Sequence, residues 1–311
     1  MLSPDPAPGL GIDAGGTQTR WALARPDGTI MAEGEAPGLS ALQMRSTDGR
    51  AIVRATLQRI AQDVLAHARP GRVHAGMTGF GGEGDELARW IAEPLGLAPA
   101  DVAMSSDMVI AYLDSFAPGE GYLVYAGTGS IGAYIDAQGE FHRAGGRGVM
   151  LDDGGGGFWI AREALRYVWR TEDERPGAWQ DSALTRAVFD HIGGSDWALS
   201  RHFIYGQERG EIGKLALVVA AVANEDRIAR DILRAAGAEL ARLARALVTR
   251  FGPRPVVLSG RAAQLHPLIF ESVRESLAPE IELRIATAQP HHAAARLASS
   301  AGAARPLPPS L

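Results

Sequence analysis

Two stretches of this chain, AGGTQTRWALARPDGTI (14–30) and AGTGSIGAYIDAQGEF (126–141), are written on one plan. Each opens with Ala-Gly, passes through a short Gly/Thr/Ser loop, enters an alternating strand, turns at a glycine and starts another strand. Their lengths differ by one residue. Self-similarity of this kind is the mark of an internal duplication. It points to two related domains, and 311 residues are enough to build both.

The surrounding pattern agrees. GLGIDAG, TRWALAR and TIMAEGEA read as a three-strand meander with a turn at RPDG. A helix-periodic stretch over about 48–69 follows, and then RVHAGMTG, a buried strand ending in glycines. Next come a helix over about 84–94, the short strand DVAMSS and a helix opening at Asp107. Strand–helix alternation implies an α/β layer. Near residue 117 the pattern restarts with GYLVYAG and IGAYIDA. Helices are then expected at about 156–170, 180–192, 195–201, 210–223 and 226–250. PVVLSG is a strand, 264–277 a helix, IELRIA a last strand, and QPHHAAARLASSAGAA a last helix before a frayed tail, RPLPPSL.

The first loop, GIDAGGTQT (11–19), places Asp13 at a strand end. A glycine turn lets several backbone N–H groups converge on phosphate oxygens, and threonine hydroxyls add donors. Asp13 could then hold Mg²⁺ through water, as suits a hard cation that keeps its hydration shell. An ordinary hairpin is the alternative for either loop taken alone. A second loop, AGTGSIG (126–132), with Thr128 and Ser130 as hydroxyl donors, favours phosphate clamping by the pair.

Three further stretches could carry chemistry. Asp107 follows a strand and opens a helix. It is either a first-turn carboxylate favoured by the helix dipole or a general base for a substrate hydroxyl. GGRGVMLDDGGGGFWI (145–160) sets Asp153 before four glycines, where a carboxylate could bind sugar hydroxyls and the glycines admit a ring. A flexible surface loop is the alternative. VVLSGRAA (256–263) ends a strand in Ser-Gly, where a nucleotide can lie against bare backbone. RGEIGKLA lacks the spacing of a Walker A loop. His291 and His292 are adjacent rather than four apart and read as a solvated helix start.

Composition excludes several classes. A net charge of −5, from 31 basic and 36 acidic residues, argues against a nucleic-acid-coating surface. With no cysteine, disulfides, thiolate zinc sites, a Cys nucleophile and an iron–sulfur cluster held by the chain's own thiolates are all ruled out. MLSPDPAPG shows neither the basic nor the apolar region of a signal peptide. The longest aliphatic run, LALVVAAVA (215–223), is too short for a bilayer. The expectation is a cytoplasmic protein with no membrane or nucleic-acid partner.

Taken in order and spacing, GIDAGGTQT, Asp107, AGTGSIG, GGRGVMLDDGGGGFWIAREAL and VVLSGRAA resemble the BadF/BadG/BcrA/BcrD-type ATPase family. The likeness is to its N-acetylglucosamine and glucosamine kinase branch, within the sugar kinase, actin and heat-shock chaperone superfamily. It runs from about residue 9 to 303. The resemblance implies an α/β protein of two ribonuclease-H-like (actin-like ATPase) domains with a nucleotide cleft between them. The expected division is 1–116, joined by a C-terminal helix at 288–303, and 117–287. Carried over by position, Asp13, Gly15, Gly16, Thr17 and Thr19 form the first phosphate loop, and Gly127, Thr128, Gly129 and Ser130 the second. Asp107 matches the catalytic carboxylate and also meets the sugar. Gly145, Gly146 and Asp153 match sugar-contacting positions. Gly213 matches a nucleotide-contacting glycine, and Gly260 lies in the adenosine-side motif.

This chain departs from the family pattern around the sugar. Leu42 stands where a sugar-binding Asn is usual, Arg147 where the GGWG motif has Trp, and Gly154 where Gly-Asp-Glu-Gly has Glu, with an extra carboxylate at Asp152. Another branch of the family holds an iron–sulfur cluster through cysteines, which this chain lacks. The expectation is therefore an ATP- and Mg²⁺-dependent kinase of an amino sugar, N-acetylglucosamine or glucosamine. An acidic amino sugar such as N-acetylmuramic acid is the alternative suggested by Arg147. A non-catalytic sugar or nucleotide sensor of the same fold is another. A homodimer is compatible with the sequence.

Overall fold

The computed structural model of the chain describes residues 7–81, 84–287 and 289–300. By contact the chain divides into two compact units. The first runs to Gly119 and takes in 135–141 and the described residues beyond Ala288. The second is Glu120–Tyr134 with His142–Thr287. The hairpin 135–141 joins the first unit because Gly119 N donates to Ile135 O at 2.7 Å and the Tyr112 hydroxyl reaches the same carbonyl at 3.3 Å.

In the first unit, β1 (Gly9–Ala14), β2 (Gln18–Ala24) and β3 (Ile30–Pro37) form the meander. Helix α1 (Thr47–Leu65), strand β4 (Arg72–Met77), helix α2 (Gly84–Leu95), strand β5 (Val102–Ser106) and helix α3 (Asp107–Ser115) follow. The sheet order is β3-β2-β1-β4-β5. β1 is antiparallel to β2 and parallel to β4, which is parallel to β5. Serine side chains start the helices: Ser46 accepts from Gly49 N at 3.1 Å and Ser106 from Val109 N. Val53, Leu57, Ile60 and Val64 place the apolar face of α1 in the same core as Leu10, Ile12 and Val73.

The second unit repeats this plan. β6 (Tyr122–Ala126), β7 (Ser130–Ile135) and β8 (Phe141–Gly145) come first. Then come α4 (Gly157–Glu174), α5 (Ala183–Ile192), α6 (Trp197–Gly206), α7 (Arg209–Gly213), α8 (Leu215–Ala221) and α9 (Arg227–Phe251). Strand β9 (Val256–Ser259), helix α10 (Pro267–Ser276) and strand β10 (Leu283–Ala286) complete it. The order is β8-β7-β6-β9-β10, with β6 antiparallel to β7 and parallel to β9. Strand for strand, β6 stands where β1 stands, β7 where β2 does, and β9 where β4 does. The duplication is thus one of topology as well as of sequence.

The single helix expected over 210–223 is two, broken at Lys214. The break leaves the Gly213 carbonyl facing Gly157 at the start of α4.

Helix α11 (Pro290–Ser299) returns to the first unit and lies on β1. A Cβ at Gly9 would stand 2.1 Å from Ser299 N, and one at Gly11 2.1 Å from His291 O, so only glycine lets the helix backbone touch the strand. His291 is buried here and the His292 side chain nearly so, rather than solvated as the sequence suggests. The expected tail, and residues 288 and 301–303 of the expected last helix, lie outside the described residues. Among the described residues no helix is long and apolar enough to cross a membrane.

Candidate active site

In the first unit the polar groups gather at the carboxyl ends of β1, β4 and β5, where open α/β sheets place their ligands. Asp13 is the next-to-last residue of β1. After Ala14 the chain turns tightly, with Gly15 N donating to Gln18 O at 3.1 Å and Gly15 O accepting from Leu39 N at 3.0 Å. Gly38 is required beside this turn, because a Cβ there would come within 2.3 Å of Gly16 O. Gly16 and Thr17 are exposed, with open space over Gly16. Thr19 is placed differently. It pairs with Ala14 inside the sheet, and its hydroxyl is fully buried and without a partner.

Asp107 is the first residue of α3. Its Oδ1 accepts from Met108 N at 2.9 Å and its Oδ2 from the Thr78 hydroxyl at 2.5 Å. Thr78 in turn is fixed by its own backbone, its N donating to Ala14 O at 2.9 Å and its carbonyl accepting from Ala41 N and from the Ser40 hydroxyl. Burial pushes the Asp107 carboxyl up; the bonds from Thr78 and Met108 hold it down in part. Asp13 is pushed up to about 7, first by burial, then by the negative charge of Asp107, with Arg20 lowering and Asp114 adding to the rise. Among the described residues no hydrogen bond reaches the Asp13 carboxylate.

Two half-buried carboxylates that repel each other, one of them without a donor, are what a hard dication would stabilise. The first unit therefore fits Mg²⁺ at Asp13. Asp114, also raised by burial, caps the chain entering α11 by accepting from Gln289 N at 2.9 Å. Thr78 and Asp114 escape a reading of the sequence. The Thr-Gly that follows β4 is the available signal for Thr78; nothing local marks Asp114.

In the second unit the equivalent place is the end of β6 and β9. Gly127 N donates to Gly129 O at 2.9 Å, and the loop is fastened to α4 by Gly157 N to Gly127 O at 2.8 Å and Phe158 N to Thr128 O at 3.0 Å. The glycine run 154–157 is buried, so it is no flexible surface loop, and its space is taken by protein rather than left for a sugar ring. A Cβ at Gly156 would lie 2.7 Å from Thr128 O, and one at Gly155, where φ is +83°, 2.6 Å from Ala236 O. Gly213 stands beside Phe158 N and the Thr128 methyl. Gly260, at φ +93°, is pressed against Ala126 O, which accepts from Ala262 N at 2.9 Å. Ser130 is buried and donates its hydroxyl to Gly154 O at 2.6 Å, so its proton serves the loop's own structure.

Asp153 is buried at φ +60°, the one non-glycine residue with positive φ among the described residues. Its Oδ1 accepts from Gly148 N at 3.1 Å, and its Oδ2 occupies the space a side chain at Gly129 would need. Burial raises its pKa, Gly148 N lowers it, Asp152 raises it and Arg209 lowers it. Asp153, expected on the sugar side, thus lies against the 127–130 loop. Gly145 and Gly146 carry φ of +68° and +63°, turning the chain ahead of exposed Arg147. The departures also find a cause. A Cβ at Gly154 would meet Glu239 Oε2 at 2.7 Å, so a carboxylate from α9 fills that position. Asp152 is drawn away by Arg242 at 2.8 Å. In the first unit Leu42 is half exposed, beside Gly79.

The profile of the BadF/BadG/BcrA/BcrD ATPase family matches residues 10–295. An N-acetyl-D-glucosamine kinase of Dictyostelium discoideum is 26% identical over 316 residues, covering 93% of this chain and 97% of that protein. An N-acetylmuramic acid/N-acetylglucosamine kinase of Clostridium acetobutylicum is 24% identical over 74% of this chain and 76% of its own. A crystal structure from Chromobacterium violaceum, of a protein provisionally named N-acetylglucosamine kinase, matches with a TM-score of 0.71. It is 28% identical, over 96% of this chain and 100% of that one.

Proposed function

The chain belongs to the BadF/BadG/BcrA/BcrD ATPase family, and on that premise we propose that it is an ATP-dependent kinase of an amino sugar of the N-acetylglucosamine and glucosamine class. The observation that carries the reading is Asp107. It is a carboxylate held at a helix start by Thr78, close enough to Asp13 for the two charges to perturb each other.

In this reading Asp107 accepts the proton of the sugar hydroxyl as that oxygen attacks the γ-phosphorus, the bond from that phosphorus to the β–γ bridging oxygen breaks and ADP leaves with the electron pair, and the Thr78 bond aims the carboxylate. The exposed residues Gly16 and Thr17 offer amides and a hydroxyl to phosphate oxygens, with Gly15 N closing the turn on Gln18 O, and Thr128 and Gly129 offer a second set from a loop that Gly127 N closes on Gly129 O. Thr19 and Ser130, both buried, shape the two loops from behind. Gly213 and Gly260 would set the nucleoside side of the site, each letting neighbouring backbone pack closely behind it. Asp13 would hold Mg²⁺ through water, and the ion's part is to neutralise phosphate charge. Gly145, Gly146 and Asp153 shape the sugar side. Catalysis then rests on positioning and on excluding water that would compete with the sugar as acceptor. ATP as donor suits a cytoplasmic setting.

The test is ADP release by the purified chain with Mg²⁺ and ATP, across N-acetylglucosamine, glucosamine, N-acetylmuramic acid and glucose. Release stimulated by an amino sugar supports the reading; sugar binding without release makes the protein a sensor. Exposed Arg147, with the Clostridium relative named for both sugars, favours an acidic amino sugar as second reading. Preference for N-acetylmuramic acid, lost in Arg147→Ala, would establish it.

A further inference from the structure

Away from the carboxylates and glycine loops already described, the first turn of α11 brings a third set of ligating groups together. His291 and His292 both direct Nε2 at one oxygen of Glu33 on β3. His292 lies 2.5 Å and His291 3.7 Å from Glu33 Oε2. One ligand atom from each of the three residues can be chosen so that all lie within 4.8 Å of one another. We propose that Glu33, His291 and His292 form a binding site for a divalent transition ion of the Zn²⁺ class, fastening the last helix of the chain to the edge strand of the first sheet.

The donor set suits such an ion and not a hard one. Two imidazoles and one carboxylate leave a fourth position for water, the ligand pattern of an open tetrahedral zinc site. Zinc–nitrogen and zinc–oxygen bonds of about 2.0–2.2 Å put tetrahedral ligands roughly 3.3–3.6 Å apart. The two imidazole-to-carboxylate separations, 2.5 and 3.7 Å, bracket that spacing, and the three ligand atoms fall within 4.8 Å of one another.

The supports are rigid. Glu33 is fixed in the ladder opposite Ala22. The His291 backbone lies directly on Gly11, and Gln289 N is tied to Asp114. The two histidines are consecutive, yet their rings are turned towards the same side, with centroids 4.3 Å apart. His291 Nδ1 is buried without a partner, so Nε2 is the nitrogen that faces the cluster. Arg20, the neighbouring cation, is engaged by Gln18 and Glu35. Glu33 is exposed, which gives an ion a way in.

The experiment uses the full chain without a histidine tag, stripped with a chelator and kept in excess Mg²⁺ to fill oxygen-rich sites. Zn²⁺ is titrated by calorimetry, and the melting temperature is followed in parallel. The expected result is one equivalent of Zn²⁺ bound with micromolar or tighter affinity and a melting temperature that rises with Zn²⁺. Both effects should be lost in Glu33→Gln and in His292→Ala. Each variant is compared with the wild type in chelator, where similar melting shows that it is folded. Co²⁺ in place of Zn²⁺ should give the intense visible absorption of a tetrahedral centre. No bound equivalent, or an equivalent that both variants retain, overturns the proposal.

Discussion

The hydroxyl of Thr78 donates to Asp107 Oδ2 at 2.5 Å, joining the end of β4 to the first residue of α3. The bond holds the carboxylate in one orientation and keeps its pKa from rising as far as burial alone would take it. If Asp107 is the general base, Asp107→Asn should retain ATP binding and lose roughly 10²–10⁴ in turnover. Thr78→Val removes the bond while keeping the shape. Turnover should fall roughly 10- to 100-fold, the worth of a hydrogen bond to a charged group. The Asp107 pKa should rise, so the acid limb of the kcat/KM profile should move to higher pH. A profile unmoved by Thr78→Val would show that the bond is structural only.

Asp13 offers a test of the metal reading that needs no turnover. Its pKa is raised in the folded chain from an ordinary 3.8 to about 7, so the folded state prefers the protonated form. The stability that goes with that proton is complete below the unfolded value. It is lost as pH rises through the window from about 4 to about 7. A shift of this size corresponds to about 4 kcal/mol at most. Asp13→Asn should therefore melt several degrees above wild type at pH 7.5 without ligands, and at about the same temperature at pH 4. Wild type with ADP is expected to melt at a higher temperature when Mg²⁺ is added, and Asp13→Asn should lose that rise. A variant less stable than wild type at pH 7.5 contradicts the account.

How much of this could be read from residues alone divides by range. The repeated hairpins were legible because glycine loops and alternating strands are local signals. Asp107 at a helix start was legible for the same reason. The parallel pairings that complete each sheet, β1 with β4 and β6 with β9, join distant segments and were not read. What was not legible depends on which backbone meets which. The glycines at 154–157 look like an opening for a ligand, yet Gly156 exists so that the 128–129 backbone can approach. Ser130 and Thr19 look like phosphate donors, and the fold turns both inward. His291 and His292 look like a solvated turn until Gly11 lets α11 settle on β1. Helix 210–223 reads as continuous only if Gly213, the local signal immediately before the break at Lys214, is passed over.

The glycine run makes its own prediction. In Gly156→Ala the new Cβ would lie 2.7 Å from Thr128 O and from Gly129 C, backbone atoms that cannot rotate away. The second loop must shift, at a cost of about 1–3 kcal/mol as for other overpacked sites. Because the displaced atoms are those proposed to meet phosphate, KM for ATP should rise more than KM for the sugar. Gly210→Ala, in α7 with open space around the added carbon, is the control and should change neither. Equal effects of the two substitutions would remove the loop from the phosphate site.

Asp226 shows the opposite electrostatics. One carboxylate serves two helices: Oδ1 caps α9 by accepting from Ile228 N at 2.8 Å and Ala229 N at 3.2 Å, while Oδ2 accepts from the Ser182 hydroxyl at 2.5 Å and Leu184 N at 3.0 Å at the start of α5. Burial alone would raise its pKa, but the four donors outweigh burial and hold it below 3.8. The ionised group therefore adds stability at every pH above the unfolded value, and that stability is lost as pH falls through the lower folded value. Asp226→Ala should cost roughly 3 kcal/mol at pH 7, from a lost cap and buried donors left without an acceptor. Asp226→Asn keeps an acceptor for each helix in turn but not for both, so it should fall between. Urea unfolding followed at pH 7 and again below pH 3.8 should show the gap between wild type and Asp226→Asn narrowing with acid. A gap that stays constant would mean the charge of Asp226 contributes nothing and its donors are satisfied by a neutral oxygen as well.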